Sequence, residues 1–118
     1  MGMTVLIVDD HPSFRASARS LLEADGYEIV GEAENGAAAV RAAEALHPDL
    51  VLLDVQLPDL DGFEVSELLQ KLEDPPVVVL TSSRDGADYG RCIDCCGALG
   101  FVPKADLSGA ALAALLTA

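Results

Sequence analysis

Basic residues are scarce in this chain: seven Lys and Arg stand against twenty Asp and Glu, a formal net charge of −13. Holding a polyanion takes clustered cations that displace counterions, so nucleic acid and anionic membrane surfaces are excluded as direct partners of this domain. Long apolar runs are absent too. No stretch approaches the ~18 residues that span a bilayer, and Met1-Gly2-Met3 carries no basic segment of a secretory signal. Cysteine is confined to Cys92, Cys95 and Cys96. An odd number of thiols in one short stretch is a poor disulfide framework, which points to a reducing compartment, the cytoplasm. A zinc site is disfavoured as well, because the two histidines, His11 and His47, lie far from these thiols in sequence. Cys92 and Cys96 share a helical face with Tyr89 and Ile93 and read as small packing hydrophobes, with Cys95 turned elsewhere. With only two Tyr and three Phe, the core has to be built from Val, Leu, Ile and Ala.

What is present is enough for one domain: 118 residues, 51% of them hydrophobic. Apolar segments alternate between strand-like and helix-like spacing. Thr4–Val8 is a continuous apolar strand, followed by Phe14, Ala18, Leu21 and Leu22 at helical spacing between Pro12 and Gly26. Residues 27–32 form a more polar strand, placed nearer an edge. Asn35 caps an Ala-rich helix that reaches Leu46 and stops at His47-Pro48. Residues 49–53, "DLVLL", are a third strand. A helix with Val65, Leu68, Leu69 and Leu72 on one face follows and ends at Asp74-Pro75-Pro76. Residues 77–80 are the fourth strand, Tyr89 to Cys96 lie on a helix, and residues 100–102 are a short fifth strand. Asp106 or Ser108 caps a last helix with Leu112, Leu115 and Leu116 on its apolar side. Short, wholly apolar strands alternating with helices predict a parallel sheet covered on both faces, a doubly wound α/β domain of the flavodoxin-like order 2-1-3-4-5.

In such a sheet the loops after the strand C-termini share one edge, where ligands bind. Asp9 and Asp10 follow the first strand, Asp54 the third, Thr81 the fourth and Lys104 the fifth. The strand order makes the first and third strands neighbours and brings Asp54 beside Asp9 and Asp10. Two carboxylates about 4 Å apart repel by roughly 4 kcal/mol at an effective dielectric near 20. Three of them call for a cation, and hard oxygen donors favour Mg²⁺, with Mn²⁺ as the alternative. His11 reads as a loop residue beside the acids. Pro58, Asp59 and Asp61 read as turn residues around Gly62 rather than ligands.

The segments "VDDHP" (8–12), "DLVLLDVQLPDLDG" (49–62), "VVVLTSS" (77–83) and "GALGFVPKAD" (97–106) occur in the order and spacing of the receiver domains of two-component response regulators. The chain resembles that family over essentially its whole length, and most of all the NarL-like receivers that precede LuxR-type helix-turn-helix domains. The resemblance implies a phosphoacceptor switch, not an enzyme acting on a metabolite. Asp54 takes a phosphoryl group from a sensor histidine kinase. Asp10 binds Mg²⁺ directly with Asp54 and the backbone carbonyl of Gln56, and Asp9 acts through metal-bound water or as a nearby ligand. Lys104 and the Thr81 hydroxyl hold phosphoryl oxygens, and Thr81 with Phe101 transmits the change. Residues 1–118 make one receiver domain with no output domain in this chain, transcription is the expected output, and a homodimer is a possible active form.

Two competing readings are weaker. A haloacid-dehalogenase-type phosphohydrolase also uses an Asp after a strand, but it needs a second Asp two residues on, where this chain has Gln56. A phosphorylation-independent interaction module would not need Asp10, Asp54, Thr81 and Lys104 together. Two positions depart from the family pattern. Ala105 stands where many receivers have a proline after the lysine, and Phe101 lacks the hydroxyl of a tyrosine, so any switch there rests on packing.

Overall fold

The structure is a computed structural model that describes residues 3–82 and 97–117. Five parallel strands run β1 (Thr4–Val8), β2 (Glu28–Ala33), β3 (Leu50–Asp54), β4 (Val77–Ser82) and β5 (Gly100–Pro103). They lie in the order β2-β1-β3-β4-β5, as the alternation of elements predicts. Among the described residues the helices are α1 (Pro12–Ala24), α2 (Gly36–Leu46), α3 (Gly62–Gln70) and α4 (Gly109–Thr117), with one 3-10 turn at Lys104–Asp106. The helix expected at Tyr89 to Cys96, with all three cysteines, lies outside the described residues.

Continuous apolar strands make sense only when both faces of the sheet are dry, and the core divides accordingly. Leu6, Val8, Val51, Leu53, Val78 and Leu80 face Ala39 and Ala43 of α2 and Val65 and Leu69 of α3. The alternate positions Val5, Ile7, Leu50, Leu52 and Val79 face Ala18 and Leu22 of α1 and Leu112 of α4. β2 is the polar edge strand, and its register against β1 slips by one residue past Ile29, where Leu6 pairs with Gly31.

Local chemistry sets most boundaries. Pro12 opens α1 and Gly26, at φ +93°, takes the left-handed turn that ends it. Asn35 accepts the Ala38 N–H at 2.8 Å, so it caps α2 as expected, and His47 closes that helix at φ 48°. Asp61 caps α3 by accepting from the Glu64 N–H. Of the two candidates for the last helix it is Ser108 that serves, its Oγ accepting the Ala111 N–H at 2.9 Å.

Two expectations shift. α3 ends at Gln70, and Leu68 is 40% exposed instead of sharing the apolar face of Val65 and Leu69. β3 and β4 each run past the apolar segment to include Asp54 and Thr81-Ser82. Every peptide bond among the described residues is trans, that between Lys104 and Ala105 included.

Candidate functional site

Asp9, Asp10, Asp54 and Lys104 meet at the C-terminal edge of the sheet, because β1, β3 and β5 end there and β1 and β3 are neighbours. Asp9 is fully buried and Asp54 is 3% exposed, whereas Asp10 turns toward solvent. Lys104 reaches back between the two buried acids, its Nζ 2.6 Å from Asp9 Oδ2 and 3.4 Å from Asp54 Oδ2. The same Nζ stands 4.5 Å over the ring of Phe14, a cation–π contact.

The remaining oxygens are partly engaged. Asp54 Oδ1 accepts the Gln56 N–H at 3.2 Å, and Asp9 Oδ1 accepts the His11 N–H at 2.8 Å. His11 Nδ1 lies 3.0 Å from Asp9 Oδ1 and 3.0 Å from Asp10 Oδ1, closer to the chemistry than a loop residue beside the acids. Ligand atoms of Asp9, Asp10, His11 and Asp54 all fall within 4.8 Å of one another.

Burial pushes the Asp54 carboxyl above the ordinary carboxylate value. The charge of Asp9 adds to this, while the Gln56 N–H and Lys104 pull back without cancelling it. Lys104 is held above its usual value. Burial alone would lower it, but Asp9 and Asp54 together outweigh that. The sign for Asp54 has a consequence for stability. A carboxyl whose folded pKa is raised favours the fold while protonated and opposes it once ionised, so Asp54 weakens the fold above the ordinary carboxylate range. Asp54→Asn is therefore expected to raise Tm by a few degrees at neutral pH, with the gain fading as the pH falls below that range. Thermal melts of the two proteins across pH check this; a lower Tm for the variant at pH 7 would contradict it.

Three carboxylates share one ammonium, so the pocket keeps an excess of negative charge that a divalent cation would neutralise. Its donors are hard carboxylate oxygens with one imidazole at the rim, a set suited to Mg²⁺ or Mn²⁺. Thr81 is paired in register with Asp54 on the neighbouring strand, so the two side chains project to the same side of the sheet. Its hydroxyl is buried and has no hydrogen-bond partner among the described residues. Phe101 pairs with Leu80, one residue before Thr81, and packs half-buried against the cluster that α2 and α3 cover.

Asp59 and Asp61 stay out of the acid group. Asp61 is a helix cap. Asp59 does more than shape its own turn: it accepts the Gly36 N–H at 2.7 Å and the Ala37 N–H at 3.0 Å, pinning the β3–α3 loop to the start of α2. Those two N–H groups, Gly36 first, hold its carboxyl below the ordinary value. No local pattern announces these bonds, because the partners are 23 and 22 residues away. The same holds for Phe14 under Lys104 and for Arg15, whose Nη1 donates to the Asp9 carbonyl at 2.5 Å.

A family model of the response regulator receiver domain matches residues 5–115. The chain is 48% identical over 101 residues to a protein of Pseudomonas aeruginosa named as a transcriptional regulator, covering 85% of this chain and 48% of that protein. It is 39% identical over 103 residues to the DNA-binding transcriptional activator EvgA of Escherichia coli K12, covering 86% and 50%. The signal receiver domain of the response regulator NarL from Mycobacterium tuberculosis superposes with a TM-score of 0.85 at 33% identity, over 99% of this chain and 98% of that one. The chain spans about half the length of the curated relatives it matches. The family match runs from within β1 to within α4, and the chain belongs to the receiver domains of two-component response regulators.

Proposed function

We propose that Asp54 accepts a phosphoryl group from the phosphohistidine of a sensor kinase and that the acyl phosphate switches a transcriptional output. The observation that carries this reading is the buried hydroxyl of Thr81, without a hydrogen-bond partner among the described residues, on the strand position paired with Asp54. A buried polar group without a partner costs stability, on the order of 1–3 kcal/mol, and calls for a partner that arrives later. A phosphoryl oxygen on Asp54 is such a partner.

The chemistry follows from the residues. An Asp54 carboxylate oxygen attacks phosphorus, the bond from phosphorus to the kinase imidazole nitrogen breaks, and that nitrogen keeps the electron pair. The transferring group spreads its charge over three oxygens, so catalysis rests on positioned cations and donors more than on a general base. Lys104, already between Asp9 and Asp54, pairs with one phosphoryl oxygen, and the Thr81 hydroxyl donates to another. Asp9, Asp10, Asp54 and the Gln56 backbone carbonyl would hold Mg²⁺ or Mn²⁺, with Asp10 the direct ligand and Asp9 in support. When bound, the ion offsets the charge of the carboxylates and the transferring group. Thr81 moving toward the phosphoryl group, with Phe101 repacking behind it, would carry the change to the surface. The likeness to transcriptional regulators of about twice this length supports an output in DNA binding by another domain; a cytoplasmic location and homodimerisation on activation belong to the same proposal.

The test is phosphoryl uptake from a small-molecule phosphodonor, with and without Mg²⁺, in the wild type and in Asp54→Asn. Mg²⁺-dependent uptake by the wild type and at least a hundredfold less by the variant is expected. Equal uptake by both would rule the reading out.

A further inference from the structure

The two acids after β1 point in different directions, Asp9 inward to Lys104 and Asp10 toward solvent, and the peptide that joins them sets both. That peptide is gripped through the Asp9 carbonyl, which accepts from Arg15 Nη1. On the other side of the same residue the Asp9 N–H donates to the Ala33 carbonyl at 3.0 Å. Because the Asp9–Asp10 peptide is planar, fixing its oxygen fixes the last torsion of Asp9 and limits the first of Asp10. Among the described residues the side chain that meets Asp10 is His11, 3.0 Å away and itself 64% exposed.

Arg15 is in turn held in place. Its Nε donates to Glu32 Oε1 at 3.0 Å, and the other oxygen of Glu32 takes Arg19 Nη1 at 2.6 Å. Glu32 lies on β2, the strand beside β1, so the brace is anchored in the sheet and not in the loop it steadies. Arg15 is only 16% exposed, and Glu32 offsets much of its charge. The guanidinium fork suits this double task, with one nitrogen on a carbonyl and another on a carboxylate.

We infer that Arg15, braced by Glu32, is a positioning residue that aims the carboxylates of Asp9 and Asp10 at the cation site. This rests on the reading of that site as a divalent-cation pocket. Arg15 touches neither substrate nor cation in this arrangement; it acts through the backbone.

Charge and position predict opposite signs. Removing a cation near an acidic pocket would by charge alone tighten Mg²⁺ binding, whereas losing the grip on the Asp9 carbonyl would weaken it. Calorimetric titration of Mg²⁺ into the wild type, Arg15→Ala and Arg15→Gln separates the two. Loss of an outer partner of this kind weakens metal binding by about tenfold or more, and that is the expected effect of Arg15→Ala. Arg15→Gln, neutral like alanine but with an amide N–H for the carbonyl, is expected to recover part of the loss. Thermal melts of each variant show that it is folded. An unchanged or tighter Kd in folded Arg15→Ala would overturn the inference, as would glutamine behaving like alanine. A wild type that takes up no Mg²⁺ would overturn the reading of the pocket itself, and the inference with it.

Discussion

Replacing Gly62 with alanine is expected to destabilise the domain by about 3 kcal/mol, within the range for overpacking against atoms that cannot yield. For a domain of this size that lowers Tm by roughly 10 °C. A Cβ on Gly62 would stand 2.5 Å from the Asp54 carbonyl oxygen and 2.7 Å from the Val55 Cα. Both are backbone atoms, so no side-chain rotation makes room. The Gly62 N–H also donates to the Val55 carbonyl at 2.6 Å, and the Val55 N–H donates to the Thr81 carbonyl. A shift at Gly62 is therefore passed to Asp54 and Thr81 together, and phosphoryl uptake should fall more steeply than stability alone explains. Gly26→Ala is the control. It meets nothing within 4 Å but carries φ +93°, so it should cost about 1–2 kcal/mol of backbone strain and leave uptake intact. Chemical denaturation and phosphodonor labelling of both variants check this. Equal losses of uptake in the two would show that the close approach at Asp54 does not matter.

Lys104→Met is expected to destabilise the fold by about 2–3 kcal/mol at neutral pH, because Asp9 and Asp54 are then buried face to face without a counter-charge. Methionine keeps the length of the stem, so the loss reports the charge, including its contact with the Phe14 ring, more than packing. The pH dependence has a definite sign. The deficit against the wild type should be largest near pH 7 and shrink as the pH falls through the carboxylate range, where protonation removes both the repulsion and the ion pairs of the wild type. Mg²⁺ should raise the Tm of the variant by more than that of the wild type, since a ligand that binds only the folded state stabilises it. A deficit that grows on acidification would contradict this electrostatic account.

The fold was legible where one local rule dominated. β1 is continuously apolar and matches its expected bounds residue for residue. Asn35 before an Ala-rich stretch and Gly26 after an amphipathic one set helix ends through well-defined backbone chemistry. Strand ends were less legible, because Asp54, Thr81 and Ser82 are polar yet paired with neighbouring strands, and apolar periodicity is silent about them. Leu68 fits the helical spacing of its neighbours but lies beyond the reach of the sheet.

The candidate site divides in the same way. Asp9, Asp10, Asp54 and Lys104 could be brought to one edge from strand order alone, since each follows a strand that ends there. What holds them could not. Phe14 beneath Lys104, Asp59 on the start of α2 and Arg15 on the Asp9 carbonyl are contacts between segments whose pairing depends on the folded chain. His11 was visible as a neighbour of the acids, but its placement within 3.0 Å of both carboxylates depends on the loop conformation.

The most direct test of the account is to phosphorylate the protein with a small phosphodonor and Mg²⁺, reduce it with borohydride, and sequence its peptides by mass spectrometry. Borohydride converts the acyl phosphate of an aspartate to homoserine, so the modified residue records where the phosphoryl group was. Homoserine at position 54, formed only when Mg²⁺ is present, is the predicted result. Homoserine at Asp9 or Asp10, or none at all from protein that has taken up phosphate, would contradict the assignment of Asp54 as the phosphoacceptor.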